Sequence, residues 1–329
     1  MLAATPAQRR RHVPENVAAL LDGSPDAVRL EQALAWLRDP AHDLVAWGDP
    51  DYPATLLEIG DPPPVLYCMG RREMLARPAF AIVGSRNATP QGCADAEAFA
   101  AALSTAGLAI VSGLALGIDA AAHRGGLAHT GSSIAVVGTG LDRVYPARNR
   151  DLAHELASRG VVISEFAVGT PPLKQNFPRR NRLVSGLSRG VLVVEATLSS
   201  GSLITARLAA EQGREVFALP GSIHSPFSKG AHQLIREGAK LVETAQDILD
   251  ELAIPPMGTA PAQAKPAGDE PPRADKRAVM RALGHDPAPI DTLAARTRLP
   301  IPAIVAILTE LEIAGRVAPL PGGIWQRID

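Results

Sequence analysis

Short, almost uninterrupted apolar runs recur through the middle of the chain: AFAIV at 79–83, LAIV at 108–111, SIAVV at 133–137, VVIS at 161–164, VLVVE at 191–195, EVFAL at 215–219 and AKLV at 239–242. Strands exposed on one face alternate apolar and polar residues, whereas these runs are apolar at consecutive positions, which predicts strands buried on both faces. Enough chain separates them for a crossover helix each time. The expected architecture is α/β, a doubly wound parallel sheet. Before it, residues 1–76 read as a small helical region, with Leu30, Leu34 and Leu37 at helical spacing and proline-rich connections. The sheet domain spans 77–252. A Pro/Ala/Gly-rich linker follows at 253–275. In the tail, 276–329, a helix, a turn, a second helix over about 301–314 and a hairpin turning at Pro321-Gly322-Gly323 predict a winged helix.

Ligands of an open parallel sheet sit beyond the carboxyl ends of its strands. Four Gly/Ser-rich turns fall there: Gly84-Ser85-Arg86-Asn87, Ser112-Gly113 through Gly117, Gly138-Thr139-Gly140, and Thr197 through Ser200-Gly201-Ser202. Each alone could merely close a tight turn. Four together, with Arg86 among them, favour phosphate, because glycine admits close backbone approach and helix starts leave N–H groups free. The Walker pattern is absent, and Arg143 stands where a dinucleotide fingerprint needs its third glycine, so no nucleotide cofactor is expected.

Catalytic patterns are thin. Asp119 and His123 lie four apart and so share one helix face; the spacing suits a metal or acid–base pair, but a simple helix-surface pair is the favoured reading. His154-Glu155 lacks the second histidine of a zincin, and Ser200 follows no nucleophile elbow. Glu195 ends a strand and suits either a base or a cap for the turn after it. No catalytic residue and no metal ligand is assigned.

Charge changes the picture locally. The chain carries a formal net charge of -1, yet between Phe166 and Val194 there is no Asp or Glu, while Lys174, Arg179, Arg180, Arg182 and Arg189 are basic. Pro178 can open a helix at its first position, setting these arginines against the macrodipole; an external polyanion would compensate them. Arg86, Lys174 and Arg180 would track a phosphate backbone and Phe177 would offer a face to a base, the sequence-tolerant way to hold a single strand. The alternative is a core phenylalanine beside a solvated basic face. The candidate DNA-binding set is Gly84, Ser85, Arg86, Ser112, Gly113, Gly117, Lys174, Phe177, Arg179, Arg180, Asn181, Arg182, Ser200 and Gly201. The two cysteines, Cys68 and Cys93, form no CxxC. The basic start is too interrupted for a signal peptide, and no run nears the roughly 18 apolar residues of a membrane span; a cytoplasmic protein is expected.

These stretches carry a resemblance. DPDYPATLLEIGDPPPVLYCMG, AIVGSRNATPQG, IVSGLALGIDAAAHRGGL, AVVGTGLDRVYPARN, ISEFAVGTPPLKQNFPRRNRLVSGLS and VVEATLSSGSLITARLAAEQGREVFALPGS together resemble the DNA-processing protein A (DprA/Smf) family over about residues 45–250. The resemblance implies an extended Rossmann fold, a non-enzymatic role in binding single-stranded DNA and loading the RecA recombinase during natural transformation, and a dimer formed through about residues 217–249. It also implies phosphate contacts at Arg86 and Lys174 and stacking at Phe177. It makes the first segment a reduced SAM-like region, since the glycine-containing helix–hairpin–helix signature is missing. In the tail, Glu310 and Glu312 and the lack of Lys or Arg from 300 to 314 favour a protein-contact module over a duplex reader. The rival is a nucleoside-monophosphate phosphoribohydrolase, whose PGGxGT motif is reduced here to Pro220-Gly221-Ser222.

Overall fold

The computed structural model describes residues 6–11, 26–254, 274–284 and 286–328. The first sheet has nine strands: β1 His42–Ala46, β2 Val65–Gly70, β3 Ala79–Val83, β4 Ala109–Ser112, β5 Ser133–Val136, β6 Val161–Ser164, β7 Gly190–Val193, β8 Glu215–Ala218 and β9 Lys240–Leu241. Their order is β1-β2-β6-β5-β4-β3-β7-β8-β9. All seven apolar runs are strands, β3 to β9, and they pair in parallel. From β3 the chain winds outward through β4, β5 and β6, then crosses back to β7 on the other side. The switch point lies between β3 and β7, where a doubly wound sheet opens its crevice.

Two strands depart from the sequence reading. The hairpin β1–β2 falls in the segment read as helical, yet β2 adds to β6 antiparallel, with Tyr67 opposite Ser164. Residues 42–70 therefore extend the sheet. Helices are present before and within this segment, at Pro6–Arg9, Ala27–Trp36 and Ala54–Leu57. Of the linker at 253–275, residues 255–273 lie outside the described residues.

Alternation along each strand sorts the core into two faces. Phe80 and Ile82 of β3 pack with Phe99, Leu103, Ile118 and Phe217 beneath the helices Pro90–Thr105 and Ile118–Leu127. Ala81 and Val83 face the other way, onto Leu183, Val184 and Ala206 of the helices Asn176–Gly186 and Ser202–Glu211. The far edge strand β9 is two residues long and carries Lys240, which pairs with Glu215 at 3.1 Å and also with Glu251. A short, charged edge discourages further strand addition.

The tail forms its own core of Val279, Met280, Leu283, Leu293, Ile304, Leu308 and Leu311. Helices Ala274–Leu283, Ile290–Thr297 and Ile301–Ile313 support a sheet ordered β10-β12-β11, namely Ala288–Pro289, Ile324–Arg327 and Val317–Leu320. This is the winged helix that the pattern predicts. Among the described residues, no single helix is long and apolar enough to cross a membrane.

Candidate nucleic-acid interface

The turns after β3, β4 and β7 converge at the switch point on a cleft of about 730 Å³. Gly84, Ser85 and Arg86 line it from the first, Gly113 and Ala115 from the second, and Ser200, Gly201 and Ser202 from the third. The helix Asn176–Gly186 and the residues before it close one wall with Lys174, Phe177 and Asn181. The fourth turn is not part of this surface. Gly138, Thr139 and Gly140 are buried, and Gly138 accepts a bond from Asn176 Nδ2 at 3.0 Å. That turn packs behind Phe177 instead of opening to a ligand.

The β4 turn is held internally. Asp119 Oδ2 accepts from the N–H of Gly113 at 3.1 Å and of Ala115 at 3.2 Å. The N–H of Leu114 donates to His123 Nε2 at 3.3 Å, and Asn149 Nδ2 donates to the carbonyls of Leu114 and Ala115. Leu114 sits at φ 58°, an uncommon conformation for a branched residue, and these bonds hold it there. Asp119 thus takes the place of an external anion on this turn, and the N–H groups of Gly113 and Ala115 are already engaged. Ser112 is likewise spent within the fold: its hydroxyl donates to the Ile82 carbonyl at 2.7 Å. Gly117 lies at φ 74°, its Cα against the Ser85 carbonyl, and so joins the β3 and β4 turns.

Asp119 and His123 are accordingly buried, not on a helix surface as their spacing suggested. Burial raises the Asp119 pKa, opposed by Arg180 and by the two backbone N–H groups. His123 is driven down to about 3 by burial, reinforced by Arg180 and Arg124. Its Nδ1 lies 2.7 Å from Ser133 Oγ, which itself donates to the Ile110 carbonyl. The proton of the neutral ring therefore sits on Nδ1, and Nε2 accepts. Glu195 braces a different turn from the one that follows it. Its carboxylate accepts from Thr89 N at 2.9 Å and Thr89 Oγ1 at 2.6 Å, and Thr89 caps the helix Pro90–Thr105. Burial raises its pKa, and the Thr89 bonds oppose the rise.

The basic run divides sharply. Its helix begins at Asn176, so Pro178 is the third helical residue; a missing N–H costs nothing there because the first-turn donors have no intrahelical acceptor. Arg180 is only 4% exposed, lies flat against Gly113 and donates to the Val136 carbonyl. Burial, only partly offset by Asp119 and reinforced by Arg86, lowers its pKa to about 10. Arg182 is paired with the buried Glu165 and lies 3.5 Å from Asp61. Arg179 reaches Glu165 at 3.4 Å and lies over the Phe166 ring. The external polyanion expected for these three arginines is thus replaced by carboxylates of the same chain. Arg86 and Lys174, both exposed, have no carboxylate within ion-pair distance among the described residues. They carry the free positive charge of the cleft.

Phe177 is half-buried between the two alternatives that the sequence left open. The Arg86 guanidinium lies 5.7 Å from its ring centroid, and the Tyr145 ring 5.5 Å away, tilted by 41°. Tyr145 is absent from the sequence-derived set. Its one available signal was being one of only three tyrosines, placed just after the Gly138–Asp142 turn. The helix Ser202–Glu211 opens at the cleft with no acidic residue in its first turn, which leaves its positive end uncompensated.

Comparisons with known proteins bear on the family and the fold. The model of the family described as DNA recombination-mediator protein A matches residues 43–253, and that of the DprA winged helix domain matches 262–323. The chain is 44% identical to Protein Smf of Escherichia coli (strain K12), covering 89% of this chain and 80% of that one. It is 49% identical to DNA processing protein DprA of Streptococcus pneumoniae (strain R6), over 62% of this chain and 72% of that one. The X-ray structure of DprA from Streptococcus pneumoniae superposes with a TM-score of 0.64 at 42% identity, covering 74% of this chain and 89% of that one. DNA processing protein A from Helicobacter pylori, whose structure is described in terms of its single-stranded DNA binding mode, gives 0.59 at 33% identity over 64% and 95% of the two chains. On the sheet, the switch-point cleft and these matches, the chain belongs to the DNA recombination-mediator protein A (DprA/Smf) family.

Proposed function

We propose that this protein is a non-enzymatic recombination mediator that binds single-stranded DNA in the switch-point cleft, protects incoming strands and loads the RecA recombinase in natural transformation. One observation carries the reading: Arg86 and Lys174, without carboxylate partners among the described residues, line the same cleft of about 730 Å³ as the half-buried Phe177. Two cations beside a ring suit a backbone of phosphates bearing bases, and they suit it whatever the sequence. The relative from Helicobacter pylori supports the ligand class. Against the phosphoribohydrolase rival, the groups nearest the cleft that could act as bases are engaged: Asp119 with backbone N–H groups, Glu195 with Thr89 and His123 with Ser133 and Leu114. The protein acts in the cytoplasm as a homodimer formed through about residues 217–249.

The test is oligonucleotide titration of wild type and of Arg86→Ala, Lys174→Ala and Phe177→Ala, with nucleotide hydrolysis measured on the same samples. Binding that weakens in all three, with no turnover, supports the mediator; turnover without binding would establish the enzyme. Recombinase filament growth on strands coated with single-strand-binding protein, with and without this protein, tests the loading step.

A further inference from the structure

The ring most open to the cleft is not the one in the basic run. Tyr145 is 45% exposed and lines both the main cleft and a smaller cavity of about 80 Å³ beside it, formed with Arg86, Leu116, Phe177 and Arg180. Its hydroxyl has no protein partner among the described residues. Phe177 is more enclosed. A Cβ on Gly138 would lie 3.2 Å from its ring edge, and the Arg86 guanidinium is held over its face. A cation over a ring is an attractive arrangement, so a base stacking on that face of Phe177 displaces Arg86 from it. Among the described residues, no cation lies over the Tyr145 ring.

We infer that Tyr145 is a base-stacking residue of this cleft, the more accessible ring of a Tyr145–Phe177 pair, so that a nucleobase is gripped by two aromatic side chains and not by Phe177 alone. The inference rests on the single-strand reading and deepens it. The two rings are already in contact, and this fixes Tyr145 without requiring burial of its outer face. An exposed tyrosine of two χ angles is a rigid platform with little entropy to lose. Arg86, freed from Phe177 when a strand enters, becomes available to a phosphate, which couples stacking to backbone contact.

The experiment compares the full chain's affinity for oligothymidylate with that for an abasic strand of the same length. In Tyr145→Ala the ratio of the two affinities should fall by roughly fivefold or more, the scale of one stacked base. Affinity for the abasic strand and the salt slope should stay within about twofold, because no phosphate contact is removed. Tyr145→Phe should keep the wild-type ratio, and Tyr145→Leu, which keeps apolar bulk and guards against a folding defect, should lose it. An unchanged ratio in Tyr145→Ala overturns the inference, as does a loss in Tyr145→Phe equal to that in Tyr145→Ala, which would assign the hydroxyl in place of the ring. Wild type binding both strands equally would also overturn it while leaving backbone recognition intact. Wild type binding neither strand would overturn the single-strand reading, and the role of Tyr145 with it.

Discussion

Replacing Gly117 by alanine tests the link between the β3 and β4 turns. Gly117 sits at φ 74°, ψ −124°, where L residues with a Cβ are strained. Its added Cβ would stand 2.3 Å from the Ser85 carbonyl oxygen and 2.9 Å from that of Arg86. Real Cβ contacts are essentially never below 3.0 Å, so the turns must part by at least 3.0 − 2.3, or about 0.7 Å. Both obstacles are backbone atoms, and no rotamer change relieves them. Backbone strain of this kind costs about 1–3 kcal/mol. The bond from Ile118 N–H to the Ser85 carbonyl, 3.2 Å long, is lost as the turns separate, adding about 1 kcal/mol. We expect urea unfolding to register a loss of about 2–4 kcal/mol, and oligonucleotide affinity to fall about tenfold as Arg86 is carried out of register. Gly201→Ala is the matched control: it lies on the same cleft, at φ −63°, with no atom within 4 Å of the added Cβ. Its stability should change by less than about 0.5 kcal/mol. A Gly117→Ala protein with a wild-type unfolding midpoint and wild-type affinity would refute the proposed close approach of the two turns.

The remaining expectations concern charge and domain role. Lys174→Ala should flatten the dependence of log affinity on log salt by roughly 0.7, one single-strand phosphate contact, whereas Arg182→Ala should leave that slope unchanged. Arg182→Ala should instead destabilise the fold, near the lower end of the about 3–5 kcal/mol for orphaning a buried ion-pair partner, because Arg179 still reaches Glu165; equal salt slopes in wild type and both variants would contradict this division. His123 is neutral in the fold down to about pH 3, while the unfolded chain binds its proton near pH 6.5. The unfolded state thus holds more protons between those values, so this residue's contribution falls as pH drops below 6.5, by up to about 1.4 kcal/mol per unit. The wild-type minus His123→Gln difference in unfolding free energy isolates it from Asp119, whose raised pKa acts in the opposite direction, and a flat difference between pH 6 and 4 would refute the burial argument. Deleting residues 255–329 should change oligonucleotide affinity by less than about tenfold, since every described residue that lines the cleft lies before that point; a larger loss would place the tail in the interface.

What the amino-acid order determined on its own was local and repetitive. Apolar runs of four or five residues are too short for a buried helix and fit strands covered on both faces, so β3 to β9 were legible as strands, although β9 proved to be an exposed edge, and glycine-rich ends located the binding edge of the sheet. The tail was legible for the same reason: helical spacing and a Pro-Gly-Gly turn are short-range signals. Strands β1 and β2 were not, because their sequences, HDLVA and VLYCMG, sit among prolines and become strands by pairing with each other and with β6, about ninety residues downstream. The fate of the arginines was equally a tertiary matter. Composition showed an acid-free stretch, but Glu165 folds back onto Arg179 and Arg182, Asp61 reaches Arg182 from 121 residues away, and Asp119 lies in reach of Arg180. Charge balance depends on distance in space, and sequence records only distance along the chain. That is why Arg86 and Lys174 stood out as lacking a carboxylate partner among the described residues, and Tyr145 as open to the cleft, only once the turns had been brought together.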